Sequence, residues 1–144
     1  MKPVKIYPGY ENWSELDLLT ALILGEAGGE IKAGQVGVAL TVKTRHNNPG
    51  WWGRNWREVM LCLNQFDCWM DEHDRILASY TQHTKEWIDC AVVAQGVYTG
   101  TTQDYLGSPT HYHEEHVHPD WAPKMKFLGQ IGHHLFYRDL SEVP

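Results

Sequence analysis

The 144-residue sequence contains no long hydrophobic run. Residues 1–8 have no apolar core of signal-peptide length, and no later segment is long enough to span a membrane. These absences predict a protein that is made in the cytoplasm without a signal peptide and does not insert stably into a membrane. Such a protein reaches any target outside the cytoplasm only after release.

Cysteine and positive charge are also scarce. The three cysteines (Cys62, Cys68 and Cys90) form an odd set without zinc-ribbon spacing, so in a reducing compartment they are expected to be free thiols. Twelve Lys and Arg residues against 18 Asp and Glu residues give a formal net charge of −6. That balance argues against a nucleic-acid partner, because phosphate binding relies on clusters of Lys and Arg.

Tryptophan and tyrosine, in contrast, are abundant, with seven of each. The length predicts one domain over residues 1–144, large enough to bury a core without metal or disulfide support. Aromatic rings fill cores and also provide flat surfaces for sugar rings. We expect about two of five tryptophans to line a groove and the others to be buried. The five are Trp51, Trp52, Trp56, Trp69 and Trp121.

Glu26 is the most informative residue, because the spacing places it on the apolar face of a predicted helix. The residues three, four and seven positions earlier share that face: Ile23, Leu22 and Leu19. Burial and the negative end of the helix dipole both disfavour the charged carboxylate. Both therefore raise the pKa of Glu26, as a general acid near neutral pH requires. The alternative is a helix-terminal glutamate that faces water.

Periodicity and capping signals predict a mainly α domain with a small β element, an α+β fold. Helices are expected over about residues 14–27, 32–45, 55–63, 71–80 and 85–98, with residues 65–69 irregular. The short runs 110–113 and 134–137 are expected to pair as two strands joined by a long connection. Gly34 and Gly37 within the second helix predict a close approach to another backbone, with the first helix as the candidate.

Several motifs occur in an order that resembles the SleB-type cell wall hydrolase family, which includes spore cortex-lytic enzymes and bacteriophage endolysins. The similarity covers about residues 15–138. In order, the motifs are Gly25-Glu26-Ala27-x-Gly29-Glu30, a Gly-x-Val-x-Val-Ala helix, Gln65-Phe66, Tyr112-His113, Pro119-x-Trp121 and Ile131-Gly132-x-His134-x-Phe136-Tyr137-Arg138. One departure is Gly28, where the family usually has Arg.

The resemblance implies a lysozyme-like or lytic-transglycosylase-like single domain that acts on peptidoglycan glycan strands. It implies cleavage of the bond between N-acetylmuramic acid and N-acetylglucosamine, by transglycosylation or by hydrolysis, with Glu26 as the acid and base. The substrate's own N-acetyl group would then act as nucleophile. No cofactor is expected, and nothing in the sequence indicates more than a monomer.

Other residues are candidates to support Glu26 or to bind the glycan. Glu30 is the nearest second carboxylate in sequence, although a structural role in the loop is the stronger expectation. Gln65, Tyr112 and Tyr137 are possible supporting residues. The candidate substrate-binding residues are Phe66, Trp69, His113 and Trp121.

Two other classes of function remain open. His111, His113 and His118 lie in a histidine-rich segment, and imidazoles with an acidic neighbour are the ligands of a catalytic zinc site. That reading predicts a zinc-dependent cell wall amidase or peptidase, although no His-Glu-x-x-His helix is present. The third class is a non-enzymatic glycan-binding module, which gains nothing from a carboxyl group on an apolar helix face.

Overall fold

The computed structural model describes residues 2–144, so Met1, the first residue of the predicted domain, lies outside the described part. Six helices come first in the chain and a small sheet follows. The helices are α1 (Glu15–Ala27), α2 (Lys32–Asn47), α3 (Trp56–Leu61), α4 (Cys68–Asp71), α5 (His73–Gln82) and α6 (Lys85–Thr99). Within residues 2–144, no helix has the length and apolar character needed to cross a bilayer.

The helix boundaries follow the predicted capping signals. The Ser14 side chain accepts a hydrogen bond from the Asp17 amide at the start of α1, and Asn55 caps α3 through the Glu58 amide. Gly100 ends α6 in the left-handed conformation. The prediction of an irregular segment over residues 65–69 was wrong at its end, because Cys68 and Trp69 begin the single-turn helix α4.

The β element has three strands, where two were predicted. Strand β1 (His111–Glu114) pairs antiparallel with β3 (His134–Arg138), as expected, with Tyr112 opposite Phe136. Strand β2 (Lys126–Ile131) was not predicted and lies on the other side of β3. An irregularity between Phe127 and Gly129 breaks its pairing and hides the alternating pattern of a strand.

Helix α1 lies at the centre of the core, and its apolar side chains from Leu18 to Leu24 are fully buried. The sheet packs on α2 at Gly37, where an added Cβ would lie 2.5 Å from the ring of Phe136. Gly37 does allow a close approach, but the predicted partner was wrong, because the group that approaches is the Phe136 side chain of β3 and not the backbone of α1. This contact fixes the sheet beside the C-terminal end of α1, and a cleft separates the two.

Candidate active site

The cleft between the helices and the sheet has a volume of about 500 Å³ and contains Glu26. The residues that line it come from the last turn of α1, from α2 and the loop after it, from the segment before α4, and from β1, β3 and the loop after β1. They are Glu26, Thr41, Arg45, Trp51, Asn64, Gln65, Phe66, Asp67, His111, Tyr112, His113, Glu114, Val117, Pro119, Trp121 and His134. The fold thus brings together most of the residues that the sequence motifs selected.

Glu26 is half-buried at the C-terminal end of α1, and two groups hold its carboxylate. The Tyr112 hydroxyl donates to Oε1 at 2.5 Å, and the Cys68 backbone N–H donates to Oε2 at 3.2 Å. The first donor comes from β1 and the second from the start of α4. The side chain is therefore fixed from both sides of the cleft.

The pKa of Glu26 is raised above its usual value, as the sequence predicts. Burial is the largest cause, since it removes water from the charged form. The hydrogen bonds from Tyr112 and Cys68 favour the carboxylate and oppose the shift, whereas the negative charge of Asp67 adds to it. The net direction favours the protonated carboxyl group, which is the form that a general acid needs.

The approach of α4 to α1 depends on Gly25. A Cβ at this position would lie 2.5 Å from the Cβ of Cys68, so a side chain there would push α4 away. Since the Cys68 amide donates to Glu26, the absence of a side chain at position 25 allows the hydrogen bond to form. The glycine of the Gly25-Glu26 pair is therefore needed so that the Cys68 amide can reach Glu26.

One wall of the cleft is a cluster of aromatic rings on the sheet. His113 stacks on Tyr137 with ring centroids 5.3 Å apart, and its Nε2 lies 2.9 Å from the Tyr137 hydroxyl. Trp121 packs edge-on against Tyr137 and lies 4.9 Å from the ring of His111. Of these residues, His111, His113 and Trp121 line the cleft, whereas Tyr137 is buried behind them and supports His113.

Gln65 lines the cleft with its amide orientation fixed by Arg45. The Arg45 guanidinium is buried, donates through Nη1 to Gln65 Oε1 at 2.9 Å, and donates through Nε to the Thr110 carbonyl at 2.8 Å. Burial lowers the pKa of Arg45 to about 10. Since Arg45 occupies the amide oxygen of Gln65, the Gln65 NH₂ group is left to donate to a ligand.

Glu30 lies outside the cleft and has a structural role, the stronger of the two expectations for it. Its carboxylate accepts hydrogen bonds from the backbone N–H of His133 and from the His133 ring, each at 2.8 Å. Burial opposes the charged form, but these hydrogen bonds outweigh it and hold the pKa of Glu30 below its usual range. Glu30 therefore ties the loop after α1 to the turn between β2 and β3.

Among the tryptophans, the assignment of Trp69 to substrate binding is corrected by the structure. Trp69 is 3% exposed, donates through its indole N–H to the Met60 carbonyl and packs against Tyr10, so it belongs to the core. The two that line the cleft are Trp121, as predicted, and Trp51, which is half-exposed. The expectation that about two of five would line a groove is confirmed.

The histidines proposed as zinc ligands do not form a ligand set. Both ring nitrogens of His113 already have partners, the Glu114 carbonyl and the Tyr137 hydroxyl. His111 is held by Thr110, and burial lowers its pKa to about 4. Within residues 2–144, the one cluster of three potential ligand atoms within 4.8 Å of one another consists of Glu114, Glu115 and His116, and it includes none of the three predicted histidines.

The space beside Gly28 is occupied by a different arginine. A Cβ at position 28 would contact the guanidinium of Arg75 on α5. Arg75 also forms ion pairs with Glu72 at 3.4 Å and with Glu86 at 3.3 Å. A cation therefore lies next to α1 although the family's usual arginine is absent from the sequence at this position.

Sequence reasoning did not select Arg45 or Asp67 of the cleft, and it named Trp51 only as one of five tryptophans that could line a groove. Arg45 carried a readable signal, because the residues three, four and seven positions before it are Val42, Thr41 and Val38, all buried. The same spacing identified Glu26. Asp67 and Trp51 lie in irregular segments, where no periodicity indicates which way a side chain points.

The comparisons with known proteins agree with this architecture. Residues 29–137 match the family described as Cell Wall Hydrolase. The catalytic domain of the germination-specific lytic transglycosylase SleB from Bacillus anthracis is similar in structure, with a TM-score of 0.66 and 16% identity over 92% of this chain and 100% of that chain. The catalytic domain of SleB from Bacillus cereus gives a TM-score of 0.65 and 17% identity over 92% and 95%. No curated protein matches the chain.

These likenesses confirm the predicted lysozyme-like α+β fold. The family match begins three residues after Glu26, so it covers most of the cleft but not the candidate acid itself. The role of Glu26 therefore depends on its geometry in this structure.

Proposed function

This chain belongs to the cell wall hydrolase family, and we propose that it is a peptidoglycan glycosidase with Glu26 as its acid and base. The observation that carries the proposal is the position of Glu26: a carboxyl group with a raised pKa, held by two donors, in a cleft lined with aromatic rings. Glycoside cleavage needs an acid for the leaving oxygen in such a place.

The proposed reaction occurs at the bond between N-acetylmuramic acid and N-acetylglucosamine. Glu26 donates its proton to the glycosidic oxygen, the bond from that oxygen to the anomeric carbon breaks, and positive charge develops on the sugar. The Glu26 carboxylate then accepts a proton from the incoming hydroxyl group. If that group is the C6 hydroxyl of the same sugar, the product is an anhydro-sugar; if it is water, the product is a reducing end.

The cleft offers groups suited to a glycan. Trp51 and Trp121 present indole rings at its walls, and Gln65 presents an amide N–H that suits an acetamido carbonyl. The likeness to the Bacillus anthracis lytic transglycosylase favours the anhydro product. An endolysin role, in which the enzyme is released from the cytoplasm onto the wall as a monomer, stays a prediction from the sequence.

Mass spectrometry of digested peptidoglycan tests the bond and the product. Anhydro-muramic ends, or reducing muramic ends, produced by the wild type and absent with E26Q, support the proposal. Free stem peptides contradict it, because they require an amidase. Product formation by E26Q at the wild-type rate would also contradict it.

Activity after treatment with a chelator distinguishes the proposed glycosidase from a zinc-dependent amidase or peptidase. Because the cleavage chemistry is assigned to Glu26, activity is expected to persist after dialysis against a chelator. Activity that disappears in chelator and returns with zinc would favour the amidase or peptidase.

A further inference from the structure

Asp67 is a charged residue of the cleft to which the proposed reaction has so far given no role. It lies directly before Cys68, whose amide is bonded to Glu26, and its side chain is exposed to the cleft. Its carboxylate makes no capping hydrogen bond at the start of α4. Among residues 2–144, no ion pair includes it.

Covalent geometry limits the distance between the two carboxyl groups. The Cα of Asp67 is about 2.4 Å from the Cys68 nitrogen, and that nitrogen is 3.2 Å from Glu26 Oε2. The carboxyl carbon of Asp67 is therefore at most about 8 Å from the Oε2 atom of Glu26, given standard bond lengths. Carboxyl pairs in glycosidases lie about 5 to 9.5 Å apart.

The pKa of Glu26 reflects the same proximity of the two carboxyl groups. The negative charge of Asp67 contributes to the raised pKa of Glu26, which requires that its field reaches that carboxyl group. The same field would reach a sugar ring seated over Glu26. A negative charge at that place stabilises an oxocarbenium-like carbon.

Resting on the proposed function, we infer that Asp67 is a second catalytic carboxylate of this cleft, which stabilises the positive charge on the anomeric carbon as Glu26 protonates the leaving oxygen. Asp67 forms no bond to the sugar. The proton moves from Glu26 to the glycosidic oxygen, and the electron pair of the broken bond stays on that oxygen. The inference therefore holds whether the C6 hydroxyl or water completes the reaction.

The other carboxylates suit this role less well. Glu30 lies outside the cleft, and its charge is already used by His133. Glu114 lines the cleft, but its Oε2 accepts a hydrogen bond from the His116 amide at 2.9 Å and is occupied in the turn after β1. Asp67 lines the cleft and directly precedes Cys68, the residue whose amide donates to Glu26.

The test is a kinetic comparison of D67N with D71N on soluble, uncrosslinked glycan strands of peptidoglycan. Asp71 is an exposed aspartate at the end of α4, outside the cleft, so D71N is a matched control for the loss of one charge. We expect D67N to lower kcat on the order of a hundredfold, with KM changed less than about threefold because the charge acts on the transition state. D71N is expected to match the wild type.

D67E, which restores the charge, is expected to recover a large part of the kcat that D67N loses. A D67N enzyme with wild-type kcat, a loss confined to KM, or a D67E enzyme as slow as D67N would each overturn the inference. Melting curves check folding, and D67S replaces D67N if the asparagine variant is unstable. If E26Q is inactive while D67N is fully active, only this inference fails; if E26Q is fully active, the proposed function fails.

Discussion

Glu26 and Glu30 are four positions apart in one sequence motif, yet the fold gives their carboxyl groups opposite environments. The side chain of Glu30 is only 11% exposed, so low exposure does not distinguish it from Glu26. The difference lies in the balance between burial and partners, because burial prevails at Glu26 and the partners prevail at Glu30. Glu30 meets an imidazole and an amide that stabilise its charge, whereas Glu26 meets a phenol, one amide and apolar surroundings.

The outcome is that the pKa of Glu30 falls and the pKa of Glu26 rises. A carboxylate with a lowered pKa can stabilise the fold but is a poor proton donor at neutral pH. A carboxyl group with a raised pKa can donate a proton but contributes less to stability. The motif thus supplies one glutamate for chemistry and one for architecture.

The largest expected effect is the loss of activity in E26Q. Glutamine preserves the size of the side chain but cannot donate and regain a proton, so the rate should fall on the order of a thousandfold. E30Q is the matched control, because the same change at Glu30 leaves the cleft intact and should keep kcat within about threefold. Rates on purified cell walls measure both. Equal losses of rate in E26Q and E30Q would contradict the assignment of chemistry to Glu26 and of a structural role to Glu30.

This distinction could be predicted only in part from the sequence. The helical spacing found Glu26, and the double glycine correctly left the direction of Glu30 open. The Tyr112 hydroxyl reaches Glu26 from 86 positions further along the chain, and local periodicity contains no information about such a contact. The partner of Glu30, His133, lies in a turn that exists only because the unpredicted strand β2 precedes it.

The same limit applies to the fold and the cleft walls. The helices were predictable because caps at Ser14 and Asn55 and the stop at Gly100 are local signals. Trp69 was misassigned because a motif position does not show whether an indole faces a cleft or the Met60 carbonyl behind it. Burial of long side chains is a tertiary property, and it becomes visible only once the helices are packed.

A smaller effect is expected for Y112F, which removes one donor from Glu26 and leaves the ring in place. Because the Tyr112 hydrogen bond favours the charged form, its loss should raise the pKa of Glu26 further. The alkaline limb of the pH–rate profile should move to higher pH, and kcat should fall about tenfold as the carboxyl group loses its orientation.

Y98F is the control for that change. The Tyr98 hydroxyl donates to Glu15 at 2.7 Å, outside the cleft, so the same deletion there should leave the pH–rate profile unchanged. An alkaline limb that moves to lower pH in Y112F would contradict the assigned role of the hydroxyl group. It would also weaken the view that the partners of Glu26 set its pKa.

The smallest expected effect is on stability, in E30Q. The lowered pKa of Glu30 contributes stability that is present above about pH 4.3, the unfolded value, and is lost as pH falls through the folded value. The hydrogen bond to Glu30 raises the pKa of His133, which contributes stability below about pH 6.5 and loses it as pH rises through the folded value. The pair therefore stabilises the fold most between these values.

Melting temperatures of the wild type and E30Q across this range test the window. We expect E30Q to melt a few degrees below the wild type at about pH 5.5. The difference in melting temperature between the two proteins should become smaller in acid. At alkaline pH this difference should narrow less, because the His133 amide still donates to Glu30.

E86Q is the control, because it breaks the exposed pair with Arg75. It should change the melting temperature little at any pH, since exposed ion pairs contribute little. If the difference in melting temperature between the wild type and E30Q stays constant from acid to alkaline pH, Glu30 stabilises the fold through packing and not through its charge.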